Sequence, residues 1–444
     1  MRYAKFLLLV LVAFLIFENS GNFFPKKEPV SPIIKNVFST KRIIVQFSPG
    51  TPLEVRKAFF VKMGFTPVEF DVFGYDIAEL DPDYAESLRF SLRERFSYFL
   101  KSEQKPKDPS ILDYQIEQKQ KRLIPQAGCN ANEPEKKPGT RAIVPWYDET
   151  IGVSRAHAFL RDKKIKLLPQ GVVIVDNGPV FSHPDILPAL KKDSDGNIIF
   201  WSKNKKLFKA GDHGTHVACL AAAYRDGKGM EGIAGQNAYI LPLIVNYKDE
   251  NYFFTSDVAI GLKYLKQMED EGKVSWRVVN MSFALYEEIR VFRAAIRELH
   301  DKLFVAAAGN EEDDLEKVKL YPASWRFSNV MAVAAINTGE QLAYFSNFGK
   351  EAVDIAAPGT NIISCVGESG YRNMQGTSMA APITAGAAAL VFSFNESFSP
   401  SHVKAILFFS ARYLKSLDGK VKDSRLVNVY EAVKLTYETE SSPL

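Results

Sequence analysis

From Trp146 onward, short strand-like runs recur that do not alternate between apolar and polar residues. They are Val172-Val173-Ile174-Val175, residues 240–245, Val278-Val279-Asn280-Met281, Leu303-Phe304-Val305-Ala306 and Val330-Met331-Ala332-Val333. A strand covered on both faces needs apolar side chains in both directions, and helical stretches separate these runs. The pattern predicts an α/β fold built on a mostly parallel, doubly wound sheet. Beyond them, Gly376-Thr377-Ser378-Met379-Ala380-Ala381-Pro382 leads into Ile383-Thr384-Ala385-Gly386-Ala387-Ala388-Ala389-Leu390. Only a close-packed helix suits so few side-chain atoms. Pro382 is expected in its first turn, where a missing N–H costs little.

The first hundred residues read differently. Residues 43–47 form a strand, residues 53–63 have helical spacing and stop at Gly64, and Val68, Phe70 and Val72 alternate, as do Tyr75 and Ile77. Asp81-Pro82 opens a second helix with Tyr84, Leu88, Leu92, Phe96 and Leu100 on one face. This β-α-β-α order predicts a small α+β domain over residues 41–100. Lys, Glu, Gln and Pro dominate residues 101–142, which read as a linker open to proteolysis. Within it Lys121-Arg122 is either a trypsin-like target or a solvated charge run. Residues 143–436 form the large domain and residues 437–444 a tail.

At the start, the basic Met1-Arg2-Tyr3-Ala4-Lys5 precedes an unbroken apolar run over residues 6–17, and then Glu18-Asn19-Ser20-Gly21. This is a signal-peptide pattern over residues 1–20, followed by a leader over 21–40. The run is short of the roughly 20 residues of a spanning helix, so export to the outside or the periplasm is expected, with a retained anchor as the alternative. Of 444 residues, 56 are basic and 52 acidic. That balance gives no reason to expect a nucleic-acid partner, and a monomer is expected. Three cysteines, Cys129, Cys219 and Cys365, allow at most one bridge and exclude a disulfide-stapled scaffold.

Chemistry collects at four places. Asp176 ends a buried run, where a parallel sheet presents its functional groups, although Asp-Asn-Gly is also an ordinary turn. Gly211-Asp212-His213-Gly214-Thr215-His216 enters an alanine-rich helix. Two histidines three apart could suggest a metal, but no third ligand such as a following Glu accompanies them. Asn310 follows a strand, where its amide can donate to an oxyanion or simply hold its own turn. Ser378 sits at a helix N-terminus, whose N–H groups favour developing negative charge.

Taken in order, Asp176, His213, Asn310 and Ser378 with their flanks resemble the subtilisin-like serine peptidases, the subtilases. Val-Ile-Val-Asp-Asn-Gly, His-Gly-Thr-His-Val-Ala, Val-Asn-Met-Ser, Ala-Ala-Gly-Asn and Gly-Thr-Ser-Met-Ala-Ala-Pro occur in the family's order across residues 146–433. The resemblance implies a serine endopeptidase acting on proteins or peptides. Ser378 would be the nucleophile, His213 the general base and Asp176 its orienting acid. Asn310 would join the Ser378 N–H in the oxyanion hole. It implies that substrate backbone lies along Ser282, Phe283 and Ala284 and near Ala307, Ala308 and Gly309. His216 would be a packed, non-catalytic histidine.

The chain departs from the family at several points. Asn177 stands for a usual threonine and should alter only nearby hydrogen bonding. Cys219 stands for a glycine and reads as a small buried apolar residue. Ala284-Leu285 stand for Gly-Gly and would narrow the cleft. The chemistry requires no cofactor. The resemblance also implies a structural calcium held by Asp185 and Asp226. It suggests that the N-terminal domain is a propeptide, the enzyme's own inhibitor or folding chaperone, with a permanent accessory domain as the alternative. A catalytically inactive binding protein of the same fold and a narrow maturation protease are the rival functions.

Overall fold

The computed structural model describes residues 41–62, 65–80, 111–118, 120–121, 141–203, 210–245 and 252–441. The signal and leader segments, the helix expected from Asp81 and most of the expected linker lie outside the described residues. Among those described, no helix is long and apolar enough to cross a membrane.

The chain begins with β1 (Lys41–Phe47), α1 (Leu53–Lys62), β2 (Phe65–Val72), β3 (Tyr75–Leu80) and β4 (Ile111–Gln118). These strands form an antiparallel sheet in the order β2-β3-β1-β4. Alternate residues of β1 face opposite ways. Ile43 and Val45 join Phe60, Phe65 and Ala78 in a small core, while Ile44 joins the main one. Strand β4 corrects the expected linker, because it lies inside residues 101–142. A polar composition does not prevent pairing here, since an edge strand satisfies its backbone on β1 and needs little apolar surface. Two residues on, β5 (Gln120–Lys121) leaves this sheet.

The large sheet takes β6 (Gln170–Asp176) and β7 (Trp201–Ser202), then α2 (Asp212–Ala222) and β8 (Ala238–Ile244). The short β9 (Tyr252–Phe253) pairs antiparallel with β5 and leads into α3 (Thr255–Asp270). Next come β10 (Trp276–Met281), α4 (Arg290–Glu298), β11 (Leu303–Ala307), β12 (Val330–Ile336) and β13 (Ile355–Pro358). A hairpin of β14 (Ile362–Val366) and β15 (Gly370–Met374) precedes α5 (Thr377–Phe392). The chain closes with β16 (Arg412–Tyr413), β17 (Arg425–Leu426) and α6 (Val429–Ser441). Helix α6 carries five residues into the expected tail.

Nine strands are ordered β16-β17-β13-β12-β11-β10-β6-β8-β7, parallel except for β16 with β17. Every residue of β6 and β12 is buried, as runs without alternation require. Strand β6 pairs with β8 on one side and β10 on the other. That is the switch point of a doubly wound sheet, where the C-terminal strand ends open a crevice.

Helix α5 is buried over its whole length and packs against α2. A Cβ on Gly386 would fall 2.6 Å from the Ala221 carbonyl oxygen on α2, so this contact requires glycine. Because α5 begins at Thr377, Pro382 lies in the second turn and not the first. Its missing N–H would have bonded the Ser378 carbonyl, which instead accepts from Ser282 Oγ at 2.8 Å.

Two long-range ties complete the frame. Cys219 and Cys365 form a disulfide joining α2 to β14, which corrects the reading of Cys219 as a plain apolar residue. Their Cα atoms are 5.9 Å apart across 146 residues of sequence, a proximity set only by folding. Arg42 of β1 is fully buried and donates to Asp257 Oδ1 at 2.8 Å and Ser256 Oγ at 2.7 Å on α3, and to Glu79 Oε1 at 2.6 Å. Its guanidinium stacks 4.0 Å from the Phe254 ring centre.

Candidate active site

Each candidate residue leaves an element at the same rim. Asp176 ends β6, and Ser282 follows β10. Ala307 ends β11, with Ala308, Gly309 and Asn310 just beyond it. His213 and Ser378 are the second residues of α2 and α5. Since β6, β10 and β11 run parallel as neighbours, their C-terminal ends are brought together, and the packed pair α2 and α5 presents its N-termini there.

His213 Nδ1 lies 2.9 Å from Asp176 Oδ2 and 3.1 Å from Oδ1. The carboxylate is buried and also accepts from the Asn177 N–H at 2.8 Å. Asn177 Oδ1 in turn accepts from the Gly214 N–H at 2.9 Å, fixing the helix turn that carries His213. Asp212 accepts from the Gly367 N–H at 3.0 Å and Arg372 Nη1 at 2.9 Å, which holds the same turn to the β14–β15 hairpin. His216 lies one turn further in, with Nε2 2.9 Å from the Ile362 carbonyl and 3.2 Å from that of Arg372. Burial, and secondarily the nearby His213, push its pKa down to about 3. It is a packed histidine bracing the hairpin.

Ser378 Oγ donates to the Ser282 carbonyl at 3.1 Å. Asn310 Oδ1 accepts from the Thr377 N–H at 2.8 Å and Thr377 Oγ1 at 3.0 Å, directly beside Ser378. With its oxygen so engaged, the amide of Asn310 offers its nitrogen. Thr377 carries no signal in the sequence pattern beyond its place in Gly-Thr-Ser, and Asn347, which bonds the turn after β11, carries none.

Ser282, Phe283, Ala284, Ala307 and Ala308 are all buried. Phe283 packs edge-on against Phe253, ring centres 5.1 Å apart, and beside Phe292 at 6.3 Å. This segment therefore offers a ligand its backbone more than its side chains.

Asp185 and Asp226, the residues expected to hold calcium, differ in setting. Asp185 points inward and its Oδ2 accepts from the Met230 N–H and the Tyr371 hydroxyl, each at 2.8 Å. Burial raises its pKa. Asp226 sits on an exposed turn and accepts from the Lys228 N–H at 3.0 Å. Calcium needs a shell of oxygens facing one point, and one oxygen of each carboxylate already accepts hydrogen bonds. His183 and Cys365 approach Asp185, but that sulfur is committed to Cys219.

A family model described as the subtilase family matches residues 170–430, which include all four candidate residues. The thermophilic serine proteinase of Bacillus sp. (strain AK1) is 35% identical, over 50% of this chain and 52% of its own length. Subtilisin-like protease 2 of Plasmodium falciparum (isolate 3D7) is 28% identical, over 60% of this chain and 20% of its own. The chain thus spans between a fifth and about half of these relatives. Among solved structures, the A-subunit of the AB5 toxin from E. coli superposes with a TM-score of 0.52 at 26% identity, covering 66% of this chain and 99% of that one.

Proposed function

The chain belongs to the subtilase family, and on that premise we propose that it is an exported serine endopeptidase hydrolysing protein or peptide substrates. The observation that carries the reading is the 2.9 Å contact of His213 Nδ1 with Asp176 Oδ2, at the rim where Ser378 opens α5. A carboxylate accepting from Nδ1–H leaves Nε2 as the basic nitrogen. His213 then takes the Ser378 hydroxyl proton as the oxygen leaves Ser282 and attacks the scissile carbonyl. It returns that proton to the leaving amine, and water hydrolyses the acyl-enzyme by the same exchange. Asp176 stabilises the imidazolium. Asn310 Nδ2 and the Ser378 N–H receive the oxyanion, a donor of this kind being worth about 3–4 kcal/mol.

The N-terminal sheet is proposed as the enzyme's own inhibitor or folding chaperone. Pairing of β5 with β9 supports this, because an extended segment already occupies a strand edge of the main body. The buried Arg42–Asp257 pair supports tight docking. Export is supported by the Cys219–Cys365 disulfide, a bond that persists in oxidising compartments.

A fluorophosphonate probe tests the function. It is expected to label the wild type and not Ser378→Ala, and casein hydrolysis is expected to vanish in that variant. Folded, processed wild type that takes no label would support a non-catalytic binding protein instead. Label without casein hydrolysis would point to a narrow maturation protease.

A further inference from the structure

We infer that Asn347 is the positioning residue of the oxyanion hole, a buried amide that holds the turn over residues 308–313 and, through it, Asn310. The inference rests on the role given to Asn310 above.

Asn347 is fully buried and all its side-chain hydrogen-bonding capacity is spent on this turn. Its Nδ2 donates to the Ala308 carbonyl at 3.0 Å and to Glu311 Oε2 at 2.9 Å. Its Oδ1 accepts from the N–H groups of Glu311 at 2.9 Å and Asp313 at 2.8 Å. Its own N–H donates to the Gly309 carbonyl at 3.0 Å. Only this amide orientation satisfies two acceptors on one side and two donors on the other. The backbone is moulded around it. Gly309 has φ +108°, and a Cβ there would fall 2.2 Å from Asn347 Nδ2.

The clamp reaches Asn310 through Glu311, whose Oε2 also accepts from the Asn310 N–H at 2.8 Å. Asn310 is therefore held by its main chain through Glu311 and by its side-chain oxygen on Thr377. A donor lowers a barrier only if it need not reorganise as charge develops. Loosening the turn should then weaken binding of the transition state more than binding of the substrate, and so lower kcat with KM little changed.

Asn347→Asp keeps the shape but sets an oxygen against the Ala308 carbonyl and the Glu311 carboxylate. Its kcat on a peptide substrate is expected to fall on the order of tenfold or more, with KM within about twofold. The melting temperature is measured alongside, since a merely structural defect would lower it without separating kcat from KM. Backbone hydrogen exchange should quicken over residues 309–313 and stay unchanged in β10. If Asn347→Asp does not fold, Asn347→Ser, which keeps a donor for Ala308, is read the same way. An unchanged kcat, or a raised KM alone, would overturn the inference while leaving the peptidase reading intact. A wild type that neither cleaves peptide nor takes a fluorophosphonate label would remove both.

Discussion

Ser282 and Ser378 bond to each other twice. Ser378 Oγ donates to the Ser282 carbonyl at 3.1 Å, and Ser282 Oγ donates to the Ser378 carbonyl at 2.8 Å. The second bond exists because Pro382, one helical turn beyond Ser378, has no N–H to give that carbonyl. The proline thus hands a helix acceptor to the neighbouring strand end, and the proposed nucleophile is tied to β10 through both its side chain and its main chain.

This exchange can be measured. Ser282→Ala leaves the buried Ser378 carbonyl and Asn280 Nδ2, which donates to Ser282 Oγ at 2.9 Å, without their partner. An orphaned buried group costs about 1–3 kcal/mol, so the melting temperature should drop by a few degrees. Ser282→Ala combined with Pro382→Ala returns an N–H to the Ser378 carbonyl and should recover part of that drop, leaving the Asn280 share. A double variant no more stable than Ser282→Ala would refute the account.

The disulfide should carry much of the fold's stability. It links residues 146 apart in sequence, for which the chain-entropy argument gives up to about 5 kcal/mol. Cys219→Ala with Cys365→Ala should lower the urea midpoint markedly, and activity should fail at lower urea because α2 carries His213. Equal midpoints for the variant and the oxidised wild type would show that packing alone holds α2 to β14.

Stability should fall on acidification through a defined window. His216 has its Nε2 against two carbonyls and, among the described residues, no partner for its buried Nδ1, so a second proton finds no acceptor there. Its pKa is about 3 in the fold, against 6.5 for an unperturbed histidine. Between those values the unfolded chain binds a proton that the folded chain does not, so unfolding is favoured as pH falls from about 6.5 toward 3. The full effect is on the order of a few kcal/mol. Above pH 6.5 both states are neutral and the term vanishes. His157, pushed to about 4 by burial with Arg225 adding to it, acts in the same direction. Urea unfolding at stepped pH should therefore show a slope that His216→Gln reduces without abolishing, and an unchanged slope would exclude His216 as its source.

Much of this molecule was legible before any coordinates, because parts of its pattern are local. Strand β6 is apolar on both faces because both are covered, and that demand shows in four consecutive residues, Val172 to Val175. The alanines of α5 foretell close packing, since Gly386 leaves no room for a Cβ. Asp176, His213, Asn310 and Ser378 stand out as candidates only together, in motifs whose order resembles the subtilases. The errors have a common source. Strand β4 was hidden in a polar stretch because its partner supplies the pairing, and Cys219 looked like filler because its partner lies 146 residues away.

The sequence by itself determined the sheet class and the close-packed helix that Ser378 opens, for both follow from side-chain type and spacing within a single element; the roles proposed for Asp176, His213, Asn310 and Ser378 come instead from the order of motifs that resembles the subtilases. Tertiary structure alone decided that Asn347 fills the turn behind Asn310, that Ser282 meets the carbonyl freed by Pro382, and that Asp185 turns inward onto Met230 and Tyr371. Those outcomes depend on distances between atoms brought together only when separate elements pack. No periodicity along the chain encodes such distances.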